Sequence, residues 1–499
     1  VGYWLKERTD GNYNKAYYSY RFALLVATYY QDIKGIDIIS NNIWYLLLQL
    51  YFEKRGTSVP LASHQNELAS QKKAAQELAA IEKVVMADSK ALLGKIKQMK
   101  NQEMTLLLVA HQFVVLGGDS KERISILNQL VSSANSTEQC QILLKAVIDE
   151  FAQITIVELV AAKEITTKQN AEIEQFKKTW GLYVKHRAIL DKVEPSQFVN
   201  RLNFALLNFQ YMRSTAVSGG GSFGHRVSYI VSEFLQPVGR DLVFLLGKAG
   251  SHSLAMNIAE DIRSRALLDW MGRTHTNTRL SVNPSIPGSG GEIYSASSEE
   301  ILATTKKLNA PLLMYTKDQY GYSVWLLGEN GQLYTSRLEN INQTVNTILQ
   351  KLPYAKSKED INALQSAKRS LFTVDSKPEL KKNNLDTELN QLYKLLFPQE
   401  IQEGLSKLKA KRIAILTDNV LDFIPFSALR TNDGQYLVEK YEIFYLPSVT
   451  AQLLIQDDEN IFQSNVGKAV LIGNPKFSNP YTVNIDGRDI QLNFSPLPG

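Results

Sequence analysis

Cysteine, glycine, proline, histidine and long apolar runs are all scarce in this sequence, and each scarcity excludes something. One cysteine, Cys140, stands in 499 residues. It leaves no partner for an internal disulfide and no ligand set for a zinc ribbon or finger, and it fits a reducing, cytoplasmic compartment. Glycine (28) and proline (15) together make up about 9% of the chain, below the usual ~12%, which excludes collagen-like and low-complexity classes and suits long helices. The longest apolar stretch, Met104 to Leu116, carries His111 and Gln112 within about 13 residues. That is too short to span a bilayer, so no membrane is expected. The six histidines, His64, His111, His186, His225, His252 and His275, share no metal-ligand spacing, and neither a metal nor another cofactor is expected. Charge of one sign is lacking too: 55 Lys and Arg against 50 Asp and Glu leave a net charge of +5. No basic run stands out, so there is no direct nucleic-acid signature. No signal peptide is visible, and the chain begins with Val1; it reads as a fragment or the ordered part of something longer.

What is present is length enough for two to four domains, at ~100–200 residues each, and 44% hydrophobic residues to build their cores. Residues 1–271 read as helix after helix. Tyr18, Phe22, Leu25 and Tyr29 mark one face of a 3.6-residue period, with Gly35 as a helix stop. Ile43, Leu46, Leu47 and Leu50 mark a second helix ending near Gly56, and a long charged helix is expected over 63–102. The helix ending at Leu116 meets Gly117-Gly118-Asp119, and Asp119 with Glu122 makes a capping box for a helix through Leu127 and Leu130. Two helices about such a turn have the size of one tetratricopeptide-like (TPR-like) repeat. A second candidate runs from Asp241 through Gly247 and Gly250 into 251–271. The clean TPR consensus positions are absent, so an irregular all-helical domain stays open beside a degenerate repeat. The aromatics Tyr17, Tyr18, Tyr20, Tyr29 and Tyr30 either pack in the core or line a groove.

Residues 272–298 hold Asn, Thr, Ser, Pro and Gly without periodicity and read as a linker. Beyond it strands appear. Leu312–Thr316 is a short apolar run, and Tyr322–Leu327 with Leu333–Leu338 flanks Asn330-Gly331, a tight-turn signal. Positions 356–384 are charged and mostly loop, and 385–408 largely helical. Arg412–Leu416 is apolar on both faces, as in a parallel strand covered by helices, and Tyr441–Tyr445 and Ala469–Ile472 repeat the pattern. Residues 299–499 therefore read as an α/β domain, and the chain as a multi-domain protein, all-α and then α/β.

Several segments of that half resemble the CHAT family, caspase-like peptidase domains usually preceded by TPR-type helices. They are Arg412-Ile-Ala-Ile-Leu-Thr-Asp-Asn-Val-Leu-Asp-Phe-Ile-Pro-Phe-Ser-Ala-Leu429, Tyr436-Leu-Val-Glu439, Tyr445-Leu-Pro-Ser448, Ala469-Val-Leu-Ile-Gly-Asn-Pro475 and Leu497-Pro-Gly499. Asp418 is followed by Asn419 where the family has Gly; Asn also tolerates a left-handed backbone, so the turn is expected to survive. Upstream, Glu260-Asp-Ile-Arg-Ser-Arg-Ala-Leu-Leu268 is similar to the helix that links repeats to a CHAT domain. The resemblance implies the N-terminal half of a caspase-like fold, and a cysteine endopeptidase with a His/Cys dyad on loops past the carboxyl ends of parallel strands. It places that dyad beyond Gly499, so no catalytic residue is assigned here. It further implies a protein partner or substrate for the helices; some TPR-CHAT proteins work beside RNA-guided or other antiphage defence complexes.

Two motifs compete. Gly220-Gly-Ser222-Phe-Gly224, followed by His225, has the form of a hydrolase elbow, but the elbow needs a strand before it and 208–218 reads as a helix end. The Gly-x-Gly-x-x-Gly form over 219–224 fails equally, with no βαβ unit around it. Cys140 aligns with Leu143, Leu144 and Val147 on one helical stripe, with no adjacent His to activate it. Two functions result: a TPR-CHAT peptidase whose helices gate proteolysis, or a catalytically empty scaffold for protein–protein interaction. A reading frame running on from Gly499 into a strand ending in His and a later one with Cys distinguishes them.

Overall fold

The computed structural model describes residues 13–30, 32–54, eight helical positions between 76 and 94, 104–117, 120–153, 167–218, 236–263, 280–281, 292–293, 295–339, 341–349, 382–453, 481–485 and 488–492. The chain divides into two compact units, the first Val1–Ile262 with Ala266–Tyr294, the second Arg263–Arg265 with Ser295–Gly499.

The first unit is helical: α1 (Tyr13–Tyr29), α2 (Ile33–Lys54), α3 (Met104–Gly117), α4 (Ser120–Ser133), α5 (Thr137–Gln153), α6 (Thr167–His186), a 3-10 turn over Arg187–Lys192, α7 (Pro195–Ser218), α8 (236–248) and α9 (His252–Ile262). From α2 to α7 the helices pack on a chain neighbour and often on the next but one: α3 meets α2, α4 and α5, and α5 meets α3, α4, α6 and α7. Two two-residue strands, β1 (Leu280–Ser281) and β2 (Glu292–Ile293), pair antiparallel inside the segment read as linker.

Several helical expectations are corrected. On α1 the stripe Tyr18, Phe22, Leu25, Tyr29 is exposed, as is Tyr30, whereas Tyr13, Ala16, Tyr17, Tyr20, Leu24 and Ala27 are buried. The helix has two apolar faces, and the one bearing alanines lets the neighbouring backbone come close, so it is the face that packs. Gly35 is no helix stop. It lies in the first turn of α2, where its N–H donates to Asp32 Oδ1 at 3.0 Å, the bond of an N-cap. Ile43, Leu46, Leu47 and Leu50 are all buried as their period requires. Between α8 and α9, Gly250 has φ +74°, its N–H donates to Gly247 O at 3.0 Å and that of Ser251 to Leu246 O at 2.9 Å. These are the two bonds of a Schellman cap, which needs a left-handed residue and so takes glycine. The helix after it ends at Ile262, earlier than the period suggested. Gly118-Asp119 and the region around Gly56, along with most of 63–102, lie outside the described residues.

The second unit is α/β. Helix α10 (Ser298–Leu308) starts with a capping box in which Glu300 N–H donates to Ser297 Oγ and Ser297 N–H to Glu300 Oε2. Then follow β3 (Leu312–Lys317), β4 (Gly321–Leu327), β5 (Leu333–Glu339), α11 (Ile341–Leu349), α12 (Lys382–Leu396), α13 (Gln399–Lys407), β6 (Arg412–Leu416), 3-10 turns at Asn419–Phe423 and Phe426–Ala428, α14 (Leu437–Lys440), β7 (Glu442–Tyr445), and the hairpin β8 (Tyr481–Ile485) and β9 (Arg488–Leu492). The main sheet has order β5-β4-β3-β6-β7, antiparallel across β5, β4 and β3 and parallel across β3, β6 and β7. Its core joins Leu313, Tyr315, Val324, Leu326, Ile413 and Ile415 to Leu392, Leu396, Ile401 and Phe426.

Arg412–Leu416 is the strand the sequence predicts, buried from Ile413 onward. Three details differ. Asn330-Gly331 is not a two-residue turn. It sits in a five-residue loop in which Gly328 N–H donates to Gln332 O at 2.8 Å, Gly331 supplies φ +81° and Asn330 Oδ1 accepts from Gln332 N–H. The helix expected over 385–408 is two helices, broken at Pro398, whose ring removes an N–H donor. And β7 is half-exposed rather than apolar on both faces, because among the described residues it forms the edge of the sheet.

Candidate functional site

Parallel strands end with their carbonyls on one rim of the sheet, and in open α/β sheets ligands and chemistry collect there. In the second unit that rim is built by the ends of β3 and β6. The register Leu312↔Ala414 to Met314↔Leu416 brings 315–317 beside 417–419. Lys317 N–H donates to Asp418 Oδ2 at 2.9 Å, and Lys317 Nζ to Asn419 Oδ1 at 3.2 Å. Asn419 has φ +59°, so the left-handed turn after Asp418 survives replacement of the expected glycine. Arg263 donates to Tyr315 O at 2.9 Å, to Thr316 Oγ1 at 2.7 Å and to Thr417 O. It thereby ties the two strands together one residue before their polar tips.

One residue further on, Asp318 is buried and shapes the β3–β4 turn. It accepts from Tyr320 N–H at 2.8 Å, Gly321 N–H at 3.0 Å and both terminal guanidinium nitrogens of Arg337, at 2.8 and 2.7 Å. A side chain at 321 would run into the backbone of Leu338 on β5, so only glycine lets β4 start there.

The family-like segments of this unit take structural positions around the rim. Phe426 is fully buried, its ring 5.6 Å from Tyr315, 6.2 Å from Phe397 and 6.4 Å from Tyr445, between β3 and β7. Pro425, expected to be buried with it, is only half-buried. Tyr436 N–H donates to Glu439 Oε2 at 2.7 Å, and Arg430 stacks 4.0 Å over the Tyr436 ring while pairing with Asp386. Ser448 Oγ accepts from Ala451 N–H at 2.9 Å, capping the helical residues 449–453; that explains the Pro-Ser pair as a cap rather than as chemistry.

In the helical unit the sequence pointed to no site, yet the structure gathers a buried polar network. Arg201 on α7 donates to Asp149 on α5 and Asn41 on α2, and Gln112 on α3 donates to the same two acceptors at 3.1 and 3.0 Å. Burial alone would lower the Arg201 pKa, and the charge and hydrogen bond of Asp149 together with Tyr45 and Asp37 more than offset it. Lys145 nearby is held below its ordinary value by burial and by Arg201. His111, read from the sequence as a buried helix histidine, is fully buried with Nε2 2.8 Å from Glu150, which also pairs with Arg123 at 3.2 Å. Among the described residues, no three His, Cys, Asp or Glu side chains gather as a metal ion would require.

Cys140 stands in the first turn of α5, half-buried, with Sγ 3.9 Å from Ala134 O. The rest of its stripe, Leu143, Leu144 and Val147, is fully buried. Cys140 differs because the helix start is open to water. His186 is partly exposed, with its pKa lowered by burial and by Lys185, and His252 opens α9. The elbow-like Gly220–Gly224 with His225, and His64, His275, Ala469–Pro475 and Leu497–Gly499, lie outside the described residues. Sequence reading missed Arg263 as a strand tie, the Asp318–Arg337 pair, and the β8–β9 hairpin, although Asp486-Gly487 between those strands is a hairpin signal.

No helix among the described residues is long and apolar enough to cross a membrane. No curated protein matches the chain, and no solved structure does either. Residues 386–499, which carry α12 to β9 and with them β6, β7 and the buried Phe426, match the family model of the CHAT domain, and this supports a caspase-like, protease-related family for the α/β unit.

Proposed function

We propose that this chain is the N-terminal part of a TPR-CHAT cysteine endopeptidase, in which the helical unit binds a regulatory partner or protein substrate and gates proteolysis. The observation that carries the reading is the parallel run β3–β6–β7 within a unit matched to the CHAT domain. In such a fold the thiolate and its histidine sit on loops past the carboxyl ends of parallel strands, the side on which Lys317, Asp418 and Asn419 form the rim. The resemblance puts the dyad beyond Gly499, on the next two strands and their loops. The helix-on-helix packing of α3 to α7 supports a TPR-like docking array, since stacked helix pairs make extended binding surfaces.

The chemistry divides accordingly. The histidine takes the thiol proton and the thiolate attacks a peptide carbonyl; the C–N bond breaks, the histidine returns the proton to the departing amine, and water then hydrolyses the thioester to free the acid and the thiol. This chain's share is to hold the rim in register through Arg263 and Asp418, and to present the protein to be cut. The test is the gene product read on past Gly499, incubated with proteins recovered on the 499-residue chain. The reading requires a strand ending in His and a later one with Cys, and cleavage that disappears when that cysteine becomes alanine. A frame without the pair, or cleavage untouched by its loss, overturns it in favour of a scaffold.

A further inference from the structure

Helix α1 carries an apolar seam on the side opposite its buried face. Tyr18 (47% exposed), Phe22 (68%), Leu25 (49%) and Tyr29 (80%) follow one another at spacings of 4, 3 and 4. This is the d-a-d-a pattern of a coiled-coil seam rather than a scatter of surface apolar residues. Tyr18 is braced edge-on by the buried Tyr17 at 5.7 Å, and Tyr29 by Tyr30 at 5.1 Å, so two of the three rings are already oriented.

We propose that this seam is the interface between two copies of the chain, packed antiparallel through α1. Three features commit it to a second copy. First, the seam is a palindrome in residue spacing. In an antiparallel pair every a position meets a d position, and here Tyr18 of one copy meets Tyr29 of the other while Phe22 meets Leu25, with nothing left over. Second, the same operation sets no charge against the seam. Helix α1 contains no acidic residue, and its Arg21 is held by Asp88 at 2.7 Å, so the facing side chains Tyr18, Phe22, Leu25 and Tyr29 are all uncharged. The antiparallel arrangement also sets the helix dipoles in opposition, which is favourable. Third, the area suffices. With Val26 (41%) and Tyr30 (75%) on its flanks, the seam offers on the order of 700 Å² of apolar side chain, close to the ~800 Å² that each partner gives to a stable interface.

The register makes a sharp test. In sedimentation equilibrium on the whole 499-residue chain, the wild type should show twice the 56.2 kDa chain mass. Phe22→Glu alone and Leu25→Lys alone should each be monomeric. Each places an unpaired charge against apolar side chains at both symmetric contacts, weakening association roughly 30-fold per contact. An equimolar mixture of the two variants should return to dimer, because position 22 of one faces position 25 of the other and the new charges attract. Recovery on mixing also shows that both variants are folded. A wild type monomeric at ~100 μM would assign the seam to a different protein or to a preceding segment of a longer chain, and overturn the proposal. So would a dimer that survives Phe22→Glu, or a mixture that stays monomeric.

Discussion

Each unit buries an arginine, and the two are held by different chemistry. In the helical unit Arg201 meets a carboxylate and a side-chain amide, Asp149 and Asn41, from two other helices. In the α/β unit Arg263 reaches two main-chain carbonyls, Tyr315 O and Thr417 O, and the Thr316 hydroxyl. The difference follows from the backbone. Inside a helix every carbonyl is spent on the i+4 N–H, so a guanidinium between helices depends on side chains. At the end of parallel strands the last carbonyls lie open on one rim, and one guanidinium can tie two strands together through them. The helical core thus holds a buried ion pair among its helices, while the core against the main sheet is built of aliphatic and aromatic side chains and the Arg263 contacts lie at the rim. The rim is where chemistry can be built without cost to the core.

The contrast can be broken most severely from the sheet side. Phe426→Ala removes the ring that fills the space between Tyr315, Phe397 and Tyr445, and should destabilise the α/β unit by ~4 kcal/mol through the cavity it leaves. In a urea titration followed by two probes, the transition of the α/β unit should move to lower urea and that of the helical unit should stay. Equal movement of both would mean that the two cores do not unfold separately.

From the helical side, Asp149→Ala leaves the fully buried Arg201 charge without its bonded carboxylate, beside the Asn41 amide and the Tyr45 ring. The expected cost is ~3 kcal/mol, confined to the helical transition. Replacing Arg201 and Asp149 together by Met and Leu should cost less than Asp149→Ala alone, since no charge is then stranded. A double variant worse than the single one would show that the pair is worth more than its desolvation.

A smaller effect sharpens the rim. At Asn419, with φ +59°, Gly should be neutral or slightly stabilising, while Val should cost ~1–2 kcal/mol, because a β-branched residue resists the left-handed region. Thermal melts of the two variants read the difference directly, and identical melts would remove the turn from the account.

The smallest effect depends on pH. Burial, with the nearby Tyr441 and Asp433, raises the Tyr393 phenol from 10.0 to about 12. Folding holds the proton more tightly than the unfolded chain does, so above pH 10 the unfolded state ionises first and stability falls with rising pH. The loss begins at the unfolded value and levels off above the folded one. Tyr393→Phe should flatten the decline between pH 10 and 12 in urea midpoints; an unchanged slope would assign it to other groups.

Much of this arrangement is legible in the residues, and the failures have physical causes. Strand β6 can be read because a run apolar on both faces has few other homes, and the Asn419 turn because few residue types accept its backbone. Helix α1 shows the limit of periodicity. Two apolar faces satisfy the same 3.6-residue period, and only the alanines at 16 and 27, which admit a close neighbour, distinguish the packed one. Gly35 reads as a stop by type, but Asp32 three residues earlier converts it into the start of α2. The polar network of Asn41, Gln112, Asp149 and Arg201 is out of reach for a different reason: its members are up to 160 positions apart, and no local pattern connects them. Arg263 belongs to a recognisable motif, yet its role needs the register of β3 against β6, which is a property of the sheet.

The central claim is that thiol chemistry belongs to the α/β unit and none of it to the helices. Its most direct test is peptide cleavage by the gene product read on past Gly499, carrying Cys140→Ser. The account predicts a rate within about twofold of the parent, because the thiol is half-buried in the first turn of α5 with its nearest hydrogen-bond acceptor Ala134 O. Cleavage abolished by that single substitution, in a protein that still melts at the parent temperature, would contradict it.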